Sequence, residues 1–551
     1  MTIRSRSADL QKFTGGLNNY WDQSSIADNE LADIVNFEFA LNGALSSRPP
    51  IYTEKNGGAV IVTPVAGQPI DIIGTYVTAS GTRYLVVVTT AKTWLYNIAT
   101  KTYTQIATFK ASDCAQYDNK ILLCCTTQAG GYWENGTFTS TPTMPNLGGL
   151  QLFQNRFFGY GVQGTSTANT VYWSDITTFG PAGELTSIWS WKDATNNYFY
   201  VEIGTGDGQW ITAMILGYND IVIFRNRSTY RYSYGDTPDL GNMQAMQQDI
   251  GAENKWSVVK FENAHFVLSS GILYKYQNWL FYPLNAQRVK MTSSDDPTNH
   301  RIQHAISIIG RRCLVWHNGM LYSYNLDTDT WSRWETQSDI CYFVQAPRMS
   351  EDINETSFYG VSGAIDITGT GVTEHSLWRI EDQPVSATGS ESFNCRMQTK
   401  IYDMDTPVEW KRLYFWSADV QSANPIKAVA YPVAIPEAAP VVTWDEVSKD
   451  YSAEAEFFSW DDLSKDGSSD VVYGTWDSPK TASGGVSSVV ALVSTGKPQR
   501  TEVKLNQSLR FRRIYFELYL DCDGTASTSP VQVFSIIPMI GAKAKIAKGA
   551  N

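Results

Sequence analysis

Gly159-Tyr160-Gly161-Val162-Gln163-Gly164 matches the G-x-G-x-x-G pattern of dinucleotide sites. That chemistry needs a helix directly after the glycines, because the free amides of its first turn hold the pyrophosphate. Here residues 165–169 lead into a strand-like stretch, 170–173, so a glycine-rich turn is the better reading. The histidines are His265, His300, His304, His317 and His375. His300 and His304 are four apart, a spacing that puts two imidazoles on one metal only in a helix. Asp295-Asp296-Pro297 just upstream reads as a turn, so both are expected as surface histidines. The seven cysteines form no C-x-x-C or Cys/His cluster with zinc spacing, and reduced, mostly buried thiols are expected. No phosphate loop, HExxH pair, GxSxG nucleophile or complete sialidase Asp-box occurs. Ser464-Lys465-Asp466 starts such a box, but Ser468 stands where its glycine belongs. The expectation is a protein without catalytic residues, cofactor or metal.

These residues sit in a chain of 551 residues with 13 % aromatic and 18 % charged side chains. Low charge and many aromatics argue against disorder, and missing heptads argue against a coiled coil. The net charge of −12 disfavours a grip on nucleic-acid phosphates, which needs clustered Lys and Arg. No apolar run approaches the roughly 18 residues of a membrane helix. The N-terminus carries Arg4, Arg6, Asp9 and Lys12 without an apolar core, so no secretory leader is expected and synthesis in a cytoplasm is.

Short segments rich in Val, Ile, Tyr, Phe, Trp and Thr recur between Gly, Asn and Asp turns, at 83–89, 120–126, 220–224, 228–234, 264–268, 271–275 and 314–317. They predict strands. The best helix candidate is 28–35, with Asp28 placed to cap it. Two segments share a phrase: Tyr96-Asn97-Ile98-Ala99-Thr100-Lys101-Thr102-Tyr103 and Tyr324-Asn325-Leu326-Asp327-Thr328-Asp329-Thr330-Trp331. Residues 132–138 shorten it. A small sheet that ends this way cannot bury both faces alone, and stacking several about an axis solves the problem as a β-propeller. The fold expected is all-β: an N-terminal segment with a short helix (1–51), a propeller of six to eight blades (52–385) and a C-terminal β-sandwich-like domain (386–551). In the last, strands are expected at 395–402, 411–416, 501–505, 511–520 and 531–537. Ile514, Phe516, Leu518 and Leu520 alternate with Tyr515, Glu517 and Tyr519, which suits one buried face.

Between those strands Trp444, Trp460 and Trp476 recur every 16 residues, each followed by Asp. They either pack together in a hairpin array or form a platform for sugars or a partner protein. Residues 431–480 hold eleven acids and three bases, a net of −8 and so two thirds of the charge imbalance.

The N-terminal residues are more specific. Phe13-Thr14-Gly15-Gly16-Leu17-Asn18-Asn19 is followed by Ile26-Ala27-Asp28-Asn29-Glu30-Leu31-Ala32-Asp33-Ile34-Val35-Asn36-Phe37 and by Leu41-Asn42-Gly43-Ala44-Leu45-Ser46-Ser47-Arg48-Pro49-Pro50. This resembles the opening of tail hub and nozzle proteins of tailed bacteriophages. Lys411-Arg412-Leu413-Tyr414 and Phe511-Arg512-Arg513-Ile514-Tyr515-Phe516 resemble C-terminal strands of that family. The resemblance implies a non-enzymatic virion protein of the tail. It implies a homo-oligomeric ring, commonly six-fold, around the genome exit channel, with portal or adaptor and fibre or spike proteins as partners. DNA would slide past an acidic wall without being held, and no membrane insertion is implied. Gly15, Gly16, Asn18, Asp28, Glu30, Asn36 and Arg48 either fold the connection into the propeller or touch a neighbouring subunit or adaptor. Trp444, Trp460 and Trp476 are the alternative platform, for a receptor or glycan.

Overall fold

The computed structural model describes residues 5–7, 10–11, 13–41, 43–56, 59–61, 64–65, 68–175, 189–204, 206–233, 242–293, 302–336, 339–347, 357–362, 377–381, 393–402, 411–421, 426–433, 487–490, 499–511, 513–522 and 532–542. The chain divides into two compact units, one of residues 49–326 and 334–391, the other of 1–48, 327–333 and 392–551.

The first unit is a β-propeller. The strands expected from β-branched and aromatic runs are present, as Arg83–Val88, Lys120–Cys124, Asp220–Arg225, Thr229–Ser233, Ala264–Ser269, Ile272–Gln277 and Arg312–His317. Six sheets are complete four-stranded blades: residues 71–107, 113–140, 149–202, 211–247, 258–283 and a closing blade, 340–381. Three further strands, His304–Ile309, Arg312–His317 and Met320–Asn325, occupy a position between the fifth and the closing blade. The first strand of each set neighbours the first strand of the next, and Asp71–Val77 meets Ser357–Ser362 to complete the ring. Hydrophobic clusters fill the seams. Tyr76, Val86, Leu95, Ile121, Leu123 and Trp133 lie between the first two blades, and Leu122, Leu150, Phe157, Trp189 and Trp191 between the second and third. Each fully buried side chain of this size contributes about 1.5–3 kcal/mol. The phrase at 96–103 and its shortened form at 132–138 are hairpins between the two outer strands of their blades. In the shortened one, Asn135 (φ 46°) and Gly136 (φ 88°) take the left-handed conformation of a tight two-residue turn.

Ring closure depends on a strand from the start of this unit. Ile51–Thr53 pairs antiparallel with Trp378–Glu381 as fourth strand of the closing blade. Directly after it, Glu54 is 2 % exposed. Its carboxylate meets Lys101 Nζ at 2.9 Å and Arg379 Nε at 3.5 Å, and accepts from the Tyr96 hydroxyl at 3.5 Å. Blade 1 supplies Tyr96 and Lys101 and the closing blade supplies Arg379, so one carboxylate holds both sides of the seam. Burial, and after it the Glu54 carboxylate charge, pushes the Tyr96 and Tyr103 hydroxyls well above the usual phenol range.

Among the described residues the one helical turn of the propeller is the 3₁₀ turn Lys255–Ser257. Asn254 caps it through Oδ1, which accepts from Trp256 N at 2.7 Å and Ser257 N at 3.1 Å. The Trp256 ring stacks on Tyr342 of the closing blade at 4.4 Å. Lys255 Nζ reaches the Ser112 carbonyl beside blade 2. Residues between blades 4 and 5 thus touch blades on the opposite side of the ring and fill the axis at that level.

The second unit has two sheets. In one, Gln499–Phe511, Lys411–Gln421, Gln532–Ala542, Leu45–Ser47 and Phe37–Phe39 follow in order. The other carries Glu30–Val35, Phe393–Thr399, Arg513–Cys522, Ile426–Val433 and Ser487–Val490. Ile514, Phe516 and Leu518 are buried while Tyr515 and Glu517 are half-buried, as the alternation predicts. The expected helix at 28–35 is absent. Glu30–Val35 is a strand, paired antiparallel with Phe393–Thr399. Leu31, Ile34 and Val35 recur at a helix-like spacing, but an isolated eight-residue helix is marginal in water, whereas the strand buries both its faces between neighbours. Asp28 caps no helix; its carboxylate pairs with Lys400 Nζ at 2.6 Å.

All six cysteines whose side chains are described are free thiols, five of them buried, in line with the expectation from their spacing. No helix among the described residues is long and apolar enough to cross a membrane.

Candidate functional site

The N-terminal motif residues converge in the second unit. Gly15 N donates to the Asn29 carbonyl and Asn18 N to the Leu31 carbonyl, both at 2.9 Å. Glu30 Oε2 accepts from Asn18 Nδ2 at 2.9 Å and from Ala27 N at 2.8 Å. These bonds fold residues 18–29 into a closed loop. A side chain at Gly15 would collide with Glu30 Cγ, 2.5 Å from the added carbon. At Gly16 the backbone is left-handed (φ 77°), and an added carbon would lie 3.0 Å from Trp331 N. Gly16→Ala is therefore expected to destabilise this unit by about 2 kcal/mol, the sum of backbone strain and contact, read as a lower urea midpoint.

Asn36 and Arg48 form the inner half of the motif. Asn36 takes φ 58°, which Asn tolerates better than most residues. Its Nδ2 donates to the Asn394 carbonyl at 2.7 Å, and its Oδ1 accepts from Arg48 Nε at 2.8 Å. The Arg48 guanidinium lies 4.0 Å over the Phe393 ring and is 1 % exposed. Arg48 N donates to the Asn36 carbonyl at 2.9 Å. Asp33 pairs with Arg396 at 2.7 Å and Arg333 at 3.5 Å. Asn36 and Arg48 are thus engaged inside the unit, and Asn18 is 4 % exposed. The motif shows solvent a different pair, Tyr20 at 50 % and Trp21 at 53 % exposure. Their rings meet edge to face at 5.2 Å, and Asn18 Oδ1 accepts from both backbone amides at 3.3 and 3.5 Å. Sequence reasoning missed them, although two adjacent aromatics inside a polar loop are a usable signal for a contact surface.

The G-x-G-x-x-G stretch holds no cofactor geometry. Gly159 lies in the strand Arg156–Tyr160, Gly164 makes a left-handed turn (φ 80°), and the next element is the strand Thr170–Trp173. A cavity of about 510 Å³ between loops of the first two blades is lined by Thr90, Phe109, Lys110, Ser112, Thr126 and Thr127. Lys110 lies 3.7 Å from Asp71. His265 is buried, with Nε2 on the Leu216 carbonyl at 2.8 Å. His304 is half-buried on a strand, which corrects the surface position expected for it, while His300 and His375 lie outside the described residues. Trp444, Trp460 and Trp476 and nearly all of the acidic stretch 431–480 lie outside them too. Among the described residues no group of three or more His, Cys, Asp or Glu side chains is placed to hold a metal ion.

No protein-family model matches the chain, and no curated protein matches it. Solved structures similar to it include BamB from Moraxella catarrhalis, 10 % identical over 69 % of this chain and 98 % of that chain, with a TM-score of 0.36. The computationally designed protein Ika8 is 10 % identical over 58 % of this chain and 99 % of that one, at 0.34. PorZ, a surface component of the type-IX secretion system of Porphyromonas gingivalis, is 11 % identical over 62 % of this chain and 42 % of that one, at 0.35. At these values the likeness carries no argument about function.

Proposed function

We propose that this chain is a structural virion protein of a phage tail, a hub or nozzle that forms a ring around the genome exit channel. The observation that carries the reading is the motif at 13–50 standing directly before a β-propeller. The described strands Lys411–Gln421 and Arg513–Cys522 include residues that resemble the same family. In this reading copies assemble into a homo-oligomeric ring, six-fold by family resemblance. Tyr20 and Trp21 supply an aromatic contact to the neighbouring subunit or to the adaptor, since buried aromatics dominate such interfaces. The ring retains DNA and releases it without base or phosphate contacts, and the protein has no catalytic role. Its net charge of −12 favours sliding over adhesion.

The test is electron microscopy of virions labelled with gold-conjugated antibody against this chain. Label at the distal tail is expected; particles whose tails carry none overturn the proposal. The second reading, a receptor- or glycan-binding tail protein, rests on the 16-residue spacing of Trp444, Trp460 and Trp476. It requires that replacing all three by alanine abolish adsorption while particles still assemble.

A further inference from the structure

His304 opens one strand of the propeller and His317 closes the next, and the antiparallel register sets them opposite each other. Asn318 N donates to the Gln303 carbonyl at 2.7 Å. That bond flanks the histidines and makes them a non-hydrogen-bonded cross-strand pair, the kind whose side chains approach most closely. The ring centroids are 5.1 Å apart, with planes at 41°. Two imidazoles bound to one ion through bonds of about 2.0–2.1 Å place their centroids at a similar distance. Nδ1 of each ring is buried and has no hydrogen-bond partner, an unusual state for a polar nitrogen that a bound cation relieves.

The surroundings favour a cation. Glu253 acts electrostatically on both rings, and its Oε1 is fixed by the Ser270 amide at 2.8 Å. The Ser270–Gly271 turn lies against His317. Gly271 takes the left-handed φ of 73° that this turn requires, and a carbon added there would stand in ordinary contact, 3.4 Å, with His317 Cε1. Asn318 lies 3.5 Å from His317 Nε2 and 3.3 Å from Ser293 Oγ. The atom at both contacts is the Asn318 amide nitrogen, Nδ2, which donates to Ser293 Oγ.

We infer that His304 and His317 form a bidentate site for a borderline-soft divalent ion, Zn²⁺, Ni²⁺ or Cu²⁺, bound through the two Nδ1 atoms with water completing its shell. Imidazole selects these ions over Mg²⁺ and Ca²⁺. Two protein ligands rather than three or four make the ion exchangeable, so the site tunes the blade hairpin and is not a structural zinc centre.

The test is titration of the full chain, purified without a polyhistidine tag, with Cu²⁺ at pH 7.5, read by electron paramagnetic resonance. One equivalent with two-nitrogen hyperfine structure is expected, with a dissociation constant of about 10 µM, displaceable by Zn²⁺ and not by Mg²⁺. H304Q and H317Q each weaken it at least tenfold, while H265Q leaves it unchanged. Should either variant misfold, diethylpyrocarbonate modification of the unsubstituted protein decides: Zn²⁺ protects His304 and His317 and leaves the remaining histidines as reactive as before. Binding weaker than 1 mM, a one-nitrogen signal, or affinity indifferent to both substitutions overturns the inference.

Discussion

Replacing Glu54 by alanine lowers the melting temperature of the propeller by about 4 °C. Glu54 is 2 % exposed and meets Lys101, Arg379 and Tyr96. Removing one member of a buried charge cluster costs about 3–5 kcal/mol, because the remaining charges lose their partner in a poorly hydrated place. Lys101 and Arg379 keep side-chain exposures of 29 % and 28 %, so water recovers part of that and about 3 kcal/mol remains. A unit of more than 300 residues loses about 1–2 °C per kcal/mol. Glu54→Gln keeps an acceptor for Tyr96 and falls roughly halfway. The Ile51–Thr53 strand is too short to hold by backbone pairing alone, so the loss appears as early opening of the ring. Calorimetry reads the melting shift, and hydrogen exchange over residues 51–53 and 378–381 reads the opening. An alanine variant that melts with the parent would refute the role given to Glu54.

Arg48→Ala is expected to weaken the second unit by about 4 kcal/mol, by the same reasoning for a fully buried ionic group. The substitution leaves Asn36 Oδ1 without the Arg48 Nε donor and opens space beside the Phe393 ring. Asn36 also bonds the Asn394 carbonyl, so the disturbance passes into the strand Phe393–Thr399. Amide exchange in that strand accelerates by about 700-fold, since each 1.4 kcal/mol is tenfold. Arg48→Lys recovers little, because a point ammonium cannot both lie flat on an aromatic ring and donate sideways. Unchanged exchange in Arg48→Ala would show that the Asn36–Arg48 pair carries no load.

Much of the propeller is readable from local pattern. Arg83–Val88, Lys120–Cys124 and Ala264–Ser269 announce themselves by β-branched and aromatic runs, and the hairpin phrases mark where blades end. What fails to show is whatever depends on distant pairing. Asp28 to Val35 reads as a helix because its apolar spacing is 3-and-4, and the strand that overrides it lies more than 350 residues away. Arg48 reads as the residue before a Pro-Pro exit, and its buried contact with Asn36 has no local trace. His304 and His317 are thirteen apart, a spacing that means nothing until the hairpin register sets them opposite. The motif at 13–50 is legible as a motif. Its division into an inner half engaged with the fold and an outward Tyr20–Trp21 pair is not.

The Ile51–Thr53 latch also sets a schedule. Its partner Trp378–Glu381 leaves the ribosome more than 300 residues later, roughly 20–60 s at ordinary rates of synthesis. During that interval the blades can form one after another, each from contiguous hairpins, but the circle has no fastener. Nascent chains therefore spend most of their synthesis as an open arc whose last seam is bare, and closure comes as one late, long-range step. Chaperone demand should peak there, and chains terminated before residue 378 should be cleared as unfinished goods.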